Sequence, residues 1–414
     1  MITSARNPNL AKDLNSRPMA ARKIEICRIA LNVEAGAFTT IMDTPPESRG
    51  LPLASRIATA RALRGFTQGE TTMRMREPIT VAALSQIEAG KVRPTRGTLE
   101  HLADALEVPV DYFYTQWPAG HGDAPPAIYF RDLRATPARE RRRAAAIALL
   151  LNDLVTAIEH YVRLPKLDLP ELPAGSSATR EHIDAMASEL RHRWELGTGP
   201  IMHIVREIER KGIPVARLSL GHEKIDAFSV PFEQRPLLLL TNDKQNNYVR
   251  SRSDAAHELG HLVMHRGRGE QDRTIEQQAH SFAASFLYPK DAAIEELPRR
   301  LDGKGWVELA ELKRRWGVSM ASLVRRMRDL RLSTEDEYRN AMKFMSVRGW
   351  RTTEPGDREL GPPEAPLLLE RCLRTIEVHN GITAQDLVER AHLPVADIMP
   401  LVEATHDKRP VIEL

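Results

Sequence analysis

Two histidines and a glutamate stand together in the run His257-Glu258-Leu259-Gly260-His261. On a helix, residues four apart share a face, so both imidazoles can reach one cation with Glu258 beside it. This is the pattern of a catalytic zinc site: imidazoles hold the ion, and a carboxylate takes a proton from water at the open position. Ala255 and Ala256 before the run, and Leu262, Val263 and Met264 after it, give it the surroundings of a buried helix. A helix with purely structural histidines is the competing reading, and a third ligand would separate the two.

That ligand is expected from the segment 275–287. Ile275, Ala279, Phe282, Ala283 and Phe286 recur at helical spacing and form a buried stripe. Glu276 stands at the edge of this stripe, where a carboxylate is costly to bury unless it is paired or bound to a metal. An exposed acid favoured by the helix dipole is the alternative. His280, one turn further on, is placed to hydrogen-bond a ligand. His265 also follows His261 at helical spacing, yet a continuous helix sets His257 and His265 about 12 Å apart along its axis. Both cannot hold one zinc at about 2 Å, so His265 reads as a helix-end residue or a partner behind a ligand.

The stretch Arg252-Ser253-Asp254-Ala255-Ala256-His257-Glu258-Leu259-Gly260-His261-Leu262-Val263-Met264-His265, followed by Ile275-Glu276-Gln277-Gln278-Ala279-His280-Ser281-Phe282-Ala283-Ala284-Ser285-Phe286-Leu287-Tyr288-Pro289, resembles the ImmA/IrrE family of zinc metallopeptidases. The resemblance spans roughly residues 180–350. It implies a gluzincin-like centre with one catalytic Zn2+, held by His257, His261 and Glu276, and Glu258 as general base. It also implies a protein substrate, a partner transcriptional repressor whose cleavage changes gene expression. Ser253 departs from the usual aromatic and Tyr288 from the commoner methionine, and neither change removes a catalytic atom. Tyr288 and His280 are candidate oxyanion donors.

A second module precedes this one. Ile57, Ala60 and Leu63 give a first helix, Thr67-Gln68 opens a second, 79–89 gives a third that stops at Gly90, and 99–106 a fourth capped by Thr95 or Thr98. Thr67-Gln68, Ser85-Gln86-Ile87-Glu88-Ala89-Gly90, Arg93-Pro94 and Leu102-Ala103-Asp104-Ala105-Leu106-Glu107-Val108-Pro109 resemble the lambda-repressor-like (XRE) helix-turn-helix. The resemblance implies binding of double-stranded DNA through residues 51–117, and it admits a dimer on DNA. Thr80, Ala82, Ala83, Ser85 and Gln86 would face bases in the major groove, and Gln68 and Arg93 would meet phosphates. Arg56, Arg61, Arg64, Arg74, Arg76, Lys91, Arg93 and Arg96 outnumber Glu70, Glu77 and Glu88 in this stretch. The segment 69–78 is longer than usual and carries Pro78. A helical partner-binding module without DNA affinity is the alternative.

The chain of 414 residues is too long for one compact core. No apolar run has the length of a membrane span, and residues 1–12 lack the apolar core of a secretory signal. Cys27 and Cys372 are the two cysteines, which argues for a reducing, cytoplasmic setting. A net charge of +3 leaves any nucleic-acid argument to local clusters.

The expected fold is mainly α and multidomain. An all-α helix-turn-helix domain is followed by an α+β gluzincin-like zinc metallopeptidase domain and a helical C-terminal region. Residues 1–50 read as a poorly ordered extension, 51–117 as the DNA-binding domain, and 118–175 as a linker with one long helix over 137–162. Residues 176–300 read as the peptidase, 301–350 as a basic helix-turn-helix-like region, and 351–414 as helical with no assignable motif. Short strands are expected at 215–218, 227–230 and 236–241, and an exposed edge there would suit an extended peptide substrate. The basic region 301–350 would contact DNA or an acidic partner, or brace the peptidase. A DNA-binding zinc endopeptidase is the leading reading. Its rivals are an XRE-type regulator whose zinc-peptidase-like domain only senses or binds a partner, and an antitoxin-like binding module.

Overall fold

The computed structural model describes residues 52–116, 129–130, 137–218, 227–241, 247–266 and 273–403. The extension expected at 1–50 and the Pro- and Gly-rich stretch after Pro118 lie outside them. The described residues are mostly helical, with one small sheet.

The helix-turn-helix comprises α1 (Ala54–Arg64), α2 (Gln68–Arg74), α3 (Val81–Glu88) and α4 (Arg96–Leu106), closed by a 3-10 turn at Val110–Tyr114. Threonines start three of these helices. Thr67 forms a reciprocal capping box with Glu70, and Thr80 and Thr95 accept the Ala83 and Thr98 N–H groups. α3 therefore begins at Val81 rather than Ile79, because Thr80 is its cap. Gly90 sits at φ +68°, the left-handed conformation that stops the helix.

The four-stranded sheet has the order β1-β3-β4-β2, from β1 (Tyr129–Phe130), β2 (Val215–Leu218), β3 (Ala227–Val230) and β4 (Leu237–Thr241). β4 pairs parallel with β2 and antiparallel with β3, and β1 lies antiparallel along β3. The peptide-accepting edge expected at 227–241 is thus already taken: β3 and β4 are interior, and the edges belong to β1 and β2.

Successive strand residues point to opposite faces, and here both faces are covered, so β2 to β4 read as apolar runs rather than alternating ones. Ala216, Leu218, Phe228, Val230, Leu237 and Leu239 join one core with the helix-turn-helix, the long helix α5 (Ala138–Glu159) and three C-terminal helices. Those helices are α14 (Leu368–Asn380), α15 (Ala384–Arg390) and α16 (Val395–Glu403). Val215, Ala227, Leu238 and Leu240 join the other core with the peptidase helices α6 (Arg180–Arg193), α7 (Ile204–Arg210), α8 (Tyr248–Met264) and α9 (Arg273–Leu287). Beyond them follow α10 (Lys290–Glu296), α11 (Gly303–Trp316), α12 (Met320–Asp329) and α13 (Glu335–Val347).

Charge pairs tie the helix-turn-helix to its neighbours. Buried Arg56 on α1 grips Asp153 on α5, with Nη2 donating to Oδ1 at 3.1 Å. Arg64 donates to both carboxylate oxygens of Asp397 on α16 at 2.6 Å. Arg61 reaches Glu88 on α3 at 2.6 Å. Three of the arginines that made this module look basic are therefore engaged inside the protein. In the basic region 301–350 the charges divide. Lys313 is buried on Glu354 and Asp357 and Arg326 on Asp184, which braces the second core, while Arg314, Arg315, Arg325 and Arg331 stay exposed.

Candidate metal centre

The helix α8 is positioned before it is functional. Asn247 caps it by accepting the Arg250 N–H at 3.0 Å. Arg252 is buried, donates to the carbonyls of Ile201 (2.7 Å) and Gly317 (3.2 Å), and pairs with Glu364. Glu364 also accepts the Val205 N–H at 2.9 Å, so one carboxylate from the C-terminal region fixes α7 and α8 together. Sequence reasoning left that region without a role, since nothing local marks a contact so far along the chain.

Gly260 sets the distance between α8 and α9. A Cβ there would stand 2.9 Å from the ring of Phe282, so only glycine lets the two helices approach this closely. The approach brings Glu276 on α9 opposite His257 and His261. The three donors form a tight triangle: Nε2 to Nε2 is 3.1 Å, and each histidine Nε2 lies 3.3 Å from a Glu276 carboxylate oxygen. Ligand atoms around a tetrahedral ion at 2.0–2.1 Å stand about 3.3–3.4 Å apart, so the triangle has the size of a metal site. Both Glu276 oxygens are shielded from solvent and accept no hydrogen bond among the described residues, as expected of a carboxylate made for a cation.

A proton chain fixes one imidazole. Gln278 donates from Nε2 to the Gly175 carbonyl at 2.7 Å, which leaves its Oε1 as acceptor toward His265 Nε2 at 2.9 Å. With both imidazoles neutral, His265 Nδ1 then accepts from His261 Nδ1 at 3.1 Å. His261 is left with a lone pair on Nε2, aimed into the triangle. His265 thus lies behind His261 and outside the triangle, fully buried.

His280 offers a second set of three, with ligand atoms of His257, Glu276 and His280 all within 4.8 Å of one another. Its ring centroid is 4.4 Å from that of His257. The looser spacing fits a metal less well than the 3.1–3.3 Å set with His261, and His280 flanks the site. Tyr288 is not brought to it: its hydroxyl donates to Glu296 at 3.4 Å and its ring lies against Trp316. Burial and Glu296 together push the Tyr288 phenol upward, so it keeps its proton.

Glu258 is fully buried, and its Oε2 accepts a 2.8 Å hydrogen bond from the hydroxyl of Ser229 on β3. Ser229 pairs with Leu238 in the sheet and so faces α8, on the side opposite Phe228 and Val230. Nothing local marks it beyond a polar residue inside an apolar strand.

In the helix-turn-helix, Thr80, Ala82, Ser85, Gln86 and Arg93 are exposed and Ala83 half-buried, on or beside α3. Gln68 donates to Glu88 at 2.8 Å, so its amide is held within the module. Arg93 lies in the turn after α3. No described helix is long and apolar enough to cross a membrane.

Residues 208–328, from α7 into α12, match the family described as the IrrE N-terminal-like domain, Peptidase_M78. Residues 57–113 match a helix-turn-helix family, HTH_3. No curated protein matches the chain. Two family matches in this order, one over the donor triangle and one over the four N-terminal helices, show that the chain joins an XRE-type helix-turn-helix to a domain of the ImmA/IrrE peptidase family.

Proposed function

We propose that this chain is a zinc-dependent endopeptidase that binds DNA through residues 51–117 and cuts a partner transcriptional repressor. The observation that carries the reading is the donor triangle of 3.1–3.3 Å beside a buried, serine-held glutamate. His257, His261 and Glu276 would hold the zinc. A zinc ion bound there supplies Lewis acidity, lowering the pKa of water toward about 7 and polarising the scissile carbonyl.

The chain's own groups do the rest. Glu258 takes the proton from water and returns it to the leaving amine. Ser229 holds one carboxylate oxygen, leaving the other to face the reacting atoms. His265 and Gln278 keep His261 in the tautomer whose Nε2 is a ligand. His280, half-buried at the rim, is the group on hand to meet a developing oxyanion. The helix-turn-helix would concentrate the enzyme on promoters where a repressor sits, so that a slow, selective cut suffices.

The test is co-incubation with repressors encoded nearby, with and without chelator. A single chelator-sensitive cut, absent with Glu258→Gln, is expected. The other reading, a regulator whose peptidase-like domain only senses or holds a partner, draws on the enclosure of His257, Glu258 and His261, which are 1 %, 0 % and 0 % exposed. A repressor that co-purifies uncut under all these conditions would establish that reading instead.

A further inference from the structure

The zinc-facing stripes of α8 and α9 do not end at the triangle. One turn back along α8 from His257 stand Ser253 and Asp254; along α9 from His280, Ala283 and Ala284 stand one turn on and Leu287 two. These residues, with His280, form one wall of a cavity of about 670 Å³ whose far side is α12, α13 and the segment 350–357. The cavity therefore opens directly beside the proposed reaction centre, with His280 belonging to both.

Its charges are unevenly engaged. The acids on its wall already have partners: Glu354 holds Lys313 and the Met320 and Ala321 N–H groups, and Asp357 holds Lys313. Asp329 holds Arg180 and Arg328, and Asp254 lies 4.0 Å from Arg250. Beyond Arg250, the arginines are not matched in the same way. Arg325 and Arg351 are exposed and make no ion pair among the described residues. Arg326 lies deeper, with a side chain 6 % exposed. Its Nη1 donates to Asp184 at 2.9 Å, and its Nε and Nη2 are buried with no hydrogen-bond partner among the described residues. A buried guanidinium with two unengaged donors is poised for a planar acceptor, and a carboxylate supplies one.

We propose that this cavity binds the carboxylate of an aspartate or glutamate side chain in the polypeptide being cut, close to the scissile bond, with Arg326 as its floor and Arg325 and Arg351 at its sides. The proposal rests on the peptidase reading of the adjoining centre and names the chemistry that centre selects. A polypeptide segment is favoured over a free anion because the cavity is continuous with the wall carrying His280, so a chain lying across the triangle drops a neighbouring side chain into it.

The test is selection from a random peptide library displayed on phage, using the full chain with Glu258→Gln so that nothing is cut. Selected peptides are expected to share an acidic position. A synthetic peptide should bind about tenfold more tightly than its twin with Glu replaced by Gln, the ratio one charge-assisted hydrogen bond supports. Arg326→Gln should bring that ratio to about one in a folded, less stable chain, since it also loses the buried pair with Asp184. If Arg326→Gln does not fold, the double variant Arg325→Gln/Arg351→Gln should lower the ratio on its own. Selected peptides without an acidic position, equal binding of the twins, or a ratio untouched in these variants would overturn the proposal. So would a chain stabilised by inorganic phosphate or succinate through Arg326 while showing no acidic preference among peptides, which gives the cavity to a small anion. Because selection needs no hydrolysis, a chain that captures acidic peptides yet never cuts a repressor fails only the peptidase reading. One that cuts without acidic preference fails only this proposal.

Discussion

The hydroxyl of Ser229 donates to Oε2 of Glu258 at 2.8 Å, joining the middle of a β-strand to the proposed general base on the neighbouring helix. Neither residue can move without the other, because Ser229 is held in the ladder opposite Leu238. Ser229→Ala should lower the rate of repressor cleavage by about 10- to 100-fold, the value of one hydrogen bond to a charged group. Zinc content should stay at wild-type level. An unchanged rate would remove Ser229 from the mechanism.

The two overlapping donor sets are separable by metal analysis. His257→Ala, His261→Ala and Glu276→Gln should each purify without stoichiometric zinc, whereas His280→Ala should retain it. Loss of zinc from His280→Ala, with zinc kept in His261→Ala, would reassign the ligands.

Gly260 carries no chemistry and should still be intolerant of change. Gly260→Ala places a methyl 2.9 Å from the ring of Phe282. Overpacking of this kind costs about 1–3 kcal/mol, and here it also pushes Glu276 away from both histidines. A lower melting temperature together with weaker zinc retention against a competing chelator is expected. A variant with native zinc affinity would show that the helices can separate without opening the triangle.

Glu209 gives the protein a pH dependence of its own. It is buried, and burial pushes its carboxyl up to about 7, against the N–H groups of Leu367 and Leu368 and the charges of Arg371 and Arg206. Between its unfolded value near 4.3 and about 7, the folded state holds the extra proton. The stability it contributes is therefore complete at low pH and lost as the pH rises through about 7. Glu209→Gln should gain on the wild type as the pH goes from about 5 to about 8, by up to roughly 3 kcal/mol. A melting-temperature difference flat across that range would contradict the assignment.

On DNA, Arg93→Ala should weaken binding to a random-sequence duplex and reduce the salt slope by about one. Arg61→Ala should instead lower the melting temperature, since Arg61 is anchored on Glu88 rather than facing outward.

Much of this was legible in the chain. The two histidines, Glu258 and Glu276 are announced by spacing on two helices, because helical periodicity is local and survives without knowledge of the fold. The threonine caps and Gly90 are local in the same way. What the sequence hides is whatever depends on a distant partner. Ser229, Arg252 with Glu364, and the Gln278–His265–His261 chain each need residues far apart to meet. The same blindness made Arg56, Arg61 and Arg64 look like a DNA-facing charge, since counting signs says nothing about who neutralises them. β1 escaped for a related reason: two residues have no period, and only their pairing with β3 makes them a strand.

The sheet whose two faces feed separate cores has a consequence for dissecting the molecule. Phe228, Val230, Leu237 and Leu239 point away from the metal centre, into the core shared with α5 and the DNA-binding helices, while Ser229 between them points toward it. Cutting the gene in half to isolate the peptidase-like domain would strip that side bare and loosen the very strand that holds Glu258. The helix-turn-helix and the peptidase-like domain share the packing of one sheet, and a truncation series is expected to destabilise both together.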